Sequence, residues 1–234
     1  MKVLILCGGK GIRAFPFTEY LPKPMMPVGG RPILVHIILS YLAQGFDDFV
    51  LAAGHRKAVL DDYFENKQLG ARIQVVDTGD EADTAERIWA CRELLSDTFM
   101  ATYGDGLSDL PLRPLLEFHR RHGRVATMGI APLVSQYGVV DVDEGGRVLS
   151  MREKPVMREH WINIGFFVFQ PTVFDRWEGR NLERDILPAL VSRGELAAFR
   201  HEGFFKSMDS FKDNQEFEEL NNRTGRKPWD VIAP

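Results

Sequence analysis

Four short apolar runs punctuate the first half of the chain: Lys2-Val3-Leu4-Ile5-Leu6, Phe49-Val50-Leu51-Ala52-Ala53, Arg72-Ile73-Gln74-Val75-Val76 and Phe99-Met100-Ala101-Thr102-Tyr103. Each is strand-sized, and a nearly continuous apolar run suits a strand covered on both faces. The stretches between them read as helices. Over residues 32–45, Ile33, Leu34, Ile37, Ile38, Tyr41 and Leu42 recur at helical spacing, with Pro32 in the first turn and Gly45 at the end. Further helices are expected at about 56–64 and 83–95, the latter with Ile88, Cys91, Leu94 and Leu95 on one face. This β-α alternation predicts an α/β fold of Rossmann-like type, a mostly parallel sheet flanked by helices. In such sheets ligands sit beyond the carboxyl ends of the strands. The loop from Gly8, Gly54, Thr78-Gly79 and Asp105 all follow strands, so all four should meet on one rim.

The second half is expected to add a helix at 112–121, with Leu112, Leu115, Leu116 and Phe118 facing the core, and a strand at 125–131. Val139–Val142 and Arg147–Met151 flank Asp143-Glu144-Gly145-Gly146, a hairpin turn signal. A strand at 162–169, a helix at 181–192, a strand at 196–200 and a closing helix at about 210–220 complete the reading. At 234 residues this is one domain. Residues 1–110 form its α/β core, and residues 111–234 a small β-rich region with the closing helix.

The formal net charge of −4 argues against a general nucleic-acid binder. No apolar stretch approaches a membrane span, and the N-terminal run is too short for a signal-peptide core. The two cysteines, Cys7 and Cys91, lack metal-type spacing and read as reduced thiols in a cytoplasmic protein.

Leu6-Cys7-Gly8-Gly9-Lys10-Gly11-Ile12-Arg13, followed by Pro22-Lys23-Pro24, leaves the first strand. Two readings stand. The glycines could make a tight strand-to-helix turn, or they could let backbone N–H groups approach a triphosphate, with Arg13 and Lys23 supplying charge. It is not a Walker A loop, having no Lys-Ser/Thr pair, and only the relaxed dinucleotide fingerprint fits, ending at Ala14. A dinucleotide-dependent oxidoreductase is disfavoured, because Met26-Pro27-Val28-Gly29-Gly30 stands where a second strand with an acidic end is needed.

Asp105 lies between Gly104 and Gly106. A lone carboxylate with room beside it suits Mg²⁺, and the plain alternative is a turn aspartate bonding backbone. Asp209 either caps the closing helix, a task Ser210 does equally well, or completes the Mg²⁺ site with Asp105. Lys154, preceding Pro155, should be extended and so project into a cleft or into solvent. Asn163 either bonds a ligand hydroxyl or opens a strand. The six histidines show no regular ligand spacing.

Taken together, Gly8 to Arg13, Pro22-Lys23-Pro24, Val76 to Asp80, Thr102 to Gly106, Glu153-Lys154-Pro155, Asn163 to Val168 and Phe204 to Asp209 resemble, in one order along nearly the whole chain, the sugar-1-phosphate nucleotidylyltransferases, and among them those that use CTP. The resemblance implies attack of a phosphomonoester oxygen on the α-phosphorus of CTP, with loss of pyrophosphate. It implies that Arg13 holds the β- and γ-phosphates and Lys23 the α-phosphate. Asp105 and Asp209 would hold Mg²⁺. Leu6, Gly8, Gly9, Gly11, Thr78, Gly79 and Gly104 would line the nucleotide. Lys154 and Asn163 would bind the acceptor, glucose 1-phosphate or a related sugar phosphate.

Between Phe64 and Val76 the chain is shorter than the family pattern, in a segment linked there to base contacts and subunit packing; a homo-oligomer is compatible with the resemblance. Arg152 and Arg158 flank Lys154, which suits either a more anionic, non-sugar acceptor or a solvated face. A regulatory subunit that no longer catalyses would be expected to lose Arg13, Lys23 or a metal aspartate, and all are present.

Overall fold

The structure, a computed structural model, describes residues 1–11, 17–65, 67–223 and 225–231. Arg13 lies outside the described residues. Strands β1 (Lys2–Leu6), β4 (Asp48–Ala53), β5 (Arg72–Asp77), β6 (Phe99–Tyr103), β8 (Ala126–Val134), β11 (Val156–Phe169) and β12 (Leu196–Arg200) form one sheet in the order β12-β8-β11-β6-β1-β4-β5. Only β11 runs against its neighbours, so the sheet is mixed but mostly parallel. The smaller strands pair outside it: β2 (Pro27–Val28) with β3 (Arg31–Pro32), β7 (Gly106–Ser108) with β13 (Phe205–Ser207), and β9 (Val139–Val142) with β10 (Val148–Arg152).

Helices α1 (Ile33–Ala43), α2 (Lys57–Glu65), α3 (Thr84–Ala90), α4 (Leu112–His122), α5 (Leu187–Ser192) and α6 (Phe211–Asn222) cover the sheet. Because side chains alternate along a strand, one run supplies two cores. On β1, Val3 and Ile5 face a cluster with Leu34 and Ile38 of α1, Leu115 of α4 and Phe217 of α6. Leu4 and Leu6 face Ile88 of α3, Phe99, Phe169 and Leu190 of α5. Burial on both faces is why these strands read as unbroken apolar runs.

Several expectations shift. The 83–95 helix breaks at Cys91 into α3 and a 3₁₀ turn over Arg92–Leu94. Pro32 precedes α1 rather than opening its first turn, and Gly45 follows with φ +87°. The 181–192 helix begins as a π-turn over Leu182–Ile186, capped by Asn181. Phe118 is only half-buried, and His119 takes the core position on α4. β11 is longer than expected and bulges twice against β8. β7 and β13 have no signal of their own, being three residues each.

A candidate nucleotide site at the sheet rim

The carboxyl ends of β1, β4, β5 and β6 are tied together by backbone bonds. Cys7 N–H donates to Ala52 O at 2.9 Å, His55 N–H to Gly8 O at 3.2 Å, Thr78 N–H to Ala53 O at 2.8 Å and Gly104 N–H to Leu6 O at 3.0 Å. The rim expected from four strand ends is therefore one continuous surface.

Asp105 and Asp209 are far apart in sequence and adjacent in space. β7 begins immediately after Asp105, and β13 ends just before Asp209. Their antiparallel pairing sets Ser207 opposite Gly106, and Met208 N–H donates to Asp105 O at 2.8 Å. Lys23 enters from the other side, on a 3₁₀ turn over Lys23–Met25 fixed by its flanking prolines. Its Nζ lies 2.6 Å from Asp105 Oδ2 and 3.1 Å from Asp209 Oδ1. Lys23 is only 8% exposed, so its charge requires partners, and the two carboxylates supply them. Ser210 caps α6 through Asp213 N–H, and Asp213 in turn accepts from Ser210 N–H. Capping is thus carried by Ser210, and Asp209 turns to Lys23 instead.

The glycines act otherwise than expected. Those beside Asp105 were read as leaving room for a ligand, but that room is filled by protein. A Cβ on Gly104 would lie 2.9 Å from Leu6 O, and one on Gly106 would lie 3.3 Å from the Phe205 ring. Gly11, at φ +60°, lies against the stem of Lys23, with a Cβ position 3.0 Å from Lys23 Cβ. Among the described residues, nothing lies within 4 Å of a Cβ placed on Gly9 or Gly79, unlike the other rim glycines.

Sequence reasoning missed Arg87. It is 4% exposed, and its guanidinium lies under the rim. Nη1 donates to Thr78 Oγ1 at 2.6 Å, Gly79 O at 2.8 Å and Ala53 O at 3.4 Å, and Nη2 to Asp80 O at 3.4 Å. A Cβ on Gly8 would lie 2.0 Å from Nη1. Burial lowers its pKa, opposed by Asp80 and Asp83. A guanidinium still stays charged, so a buried cation with uncharged oxygens as partners underlies the glycine loop. The only sequence signal was an arginine on the apolar stripe of a short helix. The same cation draws on Thr78, whose hydroxyl also reaches Ala53 O. Cys7, just after β1, is buried, and burial raises its thiol pKa. Both cysteines are free.

Of the two residues expected to bind an acceptor, Lys154 precedes β11 and Asn163 lies within it. Lys154 is exposed, and its φ of +44° contradicts the extended conformation expected before Pro155. The tight turn between β10 and β11 overrides the pre-proline preference. Arg152 and Arg158, for which an anionic acceptor and a solvated face were both open, pair with Asp141 at 3.8 Å and Glu202 at 2.9 Å on the surface, as the solvated face allows. Asn163 Oδ1 accepts from Gly165 N–H at 2.8 Å, where β11 bulges. At φ +75°, a Cβ on Gly165 would lie 2.3 Å from the Tyr103 ring. Tyr103 donates its hydroxyl to Glu183, whose pKa burial raises. Among the described residues no helix is long and apolar enough to cross a membrane, and no group of three or more metal-ligating side chains occurs.

This geometry can be set beside known proteins. A glucose-1-phosphate cytidylyltransferase of Salmonella typhi is 35% identical over 98% of this chain and 98% of its own length. The catalytic beta subunit of a mannose-1-phosphate guanylyltransferase of Xenopus tropicalis is 34% identical, over 91% of this chain but 62% of its own length. A crystal structure of a putative glucose-1-phosphate thymidylyltransferase from Bacillus anthracis superposes with a TM-score of 0.75 at 20% identity, covering 99% of both chains, which shows the shared fold. Residues 2–209 match the profile of nucleotidyl transferases, and the chain belongs to that family.

Proposed function

We propose that this nucleotidyltransferase moves CMP from CTP to a phosphate monoester, glucose 1-phosphate or a related sugar phosphate, and releases pyrophosphate. An acceptor phosphate oxygen forms a bond to the α-phosphorus of CTP, and the bond from that phosphorus to the bridging oxygen of the leaving pyrophosphate breaks. The observation that carries the reading is the Lys23 ammonium held between Asp105 and Asp209 at the rim. Full-length similarity to a cytidylyltransferase favours CTP, whereas the guanylyl relative is matched over only part of its length.

Mg²⁺ fits these residues. Both aspartates offer hard oxygen donors, the type Mg²⁺ takes alongside phosphates and water, and the Lys23 ammonium already bridges them as a cation. When bound, Mg²⁺ would neutralise charge on the triphosphate oxygens. The protein's own part is orientation and electrostatics. Lys23 is positioned to stabilise charge that grows at the α-phosphate. With no described residue near their Cβ positions, Gly9 and Gly79 allow backbone to approach the nucleotide, with Arg87 beneath. Lys154 presents an ammonium to the acceptor phosphate. Arg13, outside the described residues, is assigned to the leaving pyrophosphate by resemblance alone.

The test is pyrophosphate release from four nucleoside triphosphates against a panel of sugar and non-sugar phosphates. CTP with glucose 1-phosphate should be the fastest pair. Silence from that pair, while another reacts, would overturn the substrates and leave the chemistry; silence from all would overturn both.

A further inference from the structure

The glycine loop after β1 and the loop after β5 stand on either side of Gly54, at the end of β4. They are joined across the top by one ion pair. Lys10 Nζ lies 2.5 Å from Glu81 Oε1, with the two side chains 44% and 81% exposed. On the same two loops no described residue lies within 4 Å of a Cβ placed on Gly9 or Gly79, and the Arg87 guanidinium donates to Gly79 O at 2.8 Å. The pair therefore ties together the two loops assigned above to the nucleotide, the glycine loop after β1 and the loop after β5.

Such a pair does little for the fold. Two long, solvated side chains lose freedom to meet, and surface pairs contribute little net stability. It differs from Lys23, whose ammonium is buried between two carboxylates. Lys10 can leave its partner easily, because Glu81 would pass into water. A polyphosphate carries several negative charges where Glu81 carries one, so the ammonium gains by exchanging.

Resting on the triphosphate reading of this rim, we propose that Glu81 is a built-in competitor for polyphosphate and that Lys10 is a further binding residue. In the free chain Glu81 holds the Lys10 ammonium. An arriving polyphosphate displaces the carboxylate, and Lys10 moves onto the phosphate oxygens. The lowered pKa of Glu81, caused by the hydrogen bond from Lys10 and its charge, agrees with a carboxylate that stays ionised to compete.

The test is calorimetric binding of inorganic tripolyphosphate to the full chain and to Glu81→Gln, Lys10→Gln and the double variant, with KM for CTP measured in parallel. Glu81→Gln should bind tripolyphosphate about threefold more tightly. Lys10→Gln should bind about tenfold more weakly. In the Lys10→Gln background, removing Glu81 should change affinity by less than twofold, because Glu81 acts through Lys10. Unchanged or weaker binding in Glu81→Gln overturns the proposal. So does a tightening of equal size in the Lys10→Gln background, which would be plain repulsion, and so does failure of the wild-type chain to bind tripolyphosphate. The expected binding pattern without pyrophosphate release from any triphosphate would keep the exchange and overturn the catalytic reading. Turnover of CTP with KM indifferent to both substitutions would do the reverse.

Discussion

The two sides of the proposed cleft are built differently. On the nucleotide side, Lys23, Asp105, Asp209 and Arg87 gather beside the ends of buried strands that are bonded to one another. On the acceptor side, Lys154 lies in the turn between β11 of the main sheet and β10, which among the described residues pairs with β9 outside that sheet. That ribbon leaves Val140, Val142, Val148, Leu149 and Met151 exposed, and an isolated two-stranded ribbon is marginal in water. The difference separates two tasks. Charge stabilisation in phosphoryl-type transfer needs groups fixed before the reaction, whereas binding of a small acceptor tolerates an element that orders around it.

The sharpest break in that comparison is Lys23→Ala, which removes the ammonium that bridges both aspartates. Turnover should fall by at least tenfold, on the order of a hundredfold as for other single transition-state donors, while circular dichroism shows the fold retained. A near-normal rate would return the cluster to a structural role. Asp105→Asn should also lower turnover by at least about tenfold, and the Mg²⁺ concentration needed for half-maximal rate should rise. If the rate falls with no change in that Mg²⁺ dependence, Asp105 serves to hold Lys23 and not the metal.

The contrast also explains what could be read from sequence. The parallel strands were legible because two-sided burial leaves unbroken apolar runs, and their glycine-terminated ends located the rim. The meeting of Asp105 with Asp209 had no local signal, since it depends on pairing between two three-residue strands. Arg87 was invisible because a helix stripe does not say whether its polar member faces a carbonyl cage. The acceptor side was read least well. Lys154 breaks the pre-proline rule, while the arginines beside it pair with Asp141 and Glu202 on the surface, as the solvated-face reading allows; the pairing with Glu202 had no local signal.

A smaller effect, on stability, tests whether the acceptor half has rigid points of its own. His119 of α4 is 1% exposed and shares the Thr127 hydroxyl with His122, at 2.8 Å and 2.7 Å. Burial, reinforced by His122, lowers its pKa to about 4. A folded pKa below the unfolded value means that the unfolded chain binds more protons in between. Its contribution is therefore complete above about pH 6.5 and is lost as pH falls towards 4, by at most about 3 kcal/mol. Urea denaturation at pH 7 and pH 5 should show this loss, and His119→Gln should flatten it. Equal pH dependence in both chains would mean that His119 is not the group that titrates.

The smallest effect sharpens the comparison from the other side. A lysine at φ +44° before proline is strained, and glycine there is not. Lys154→Ala and Lys154→Gly both remove the ammonium, so both should raise KM for the sugar phosphate and leave KM for CTP unchanged. They differ only in backbone. Lys154→Gly should be the more stable of the two by about 1 kcal/mol, because a Cβ at positive φ costs more than glycine's extra unfolded freedom. The pair therefore separates what the ammonium does for the acceptor from what the turn costs the fold. Equal stability would show that the turn relaxes without help, making the acceptor side softer still; a raised KM for CTP would place Lys154 on the nucleotide side and dissolve the division between the two.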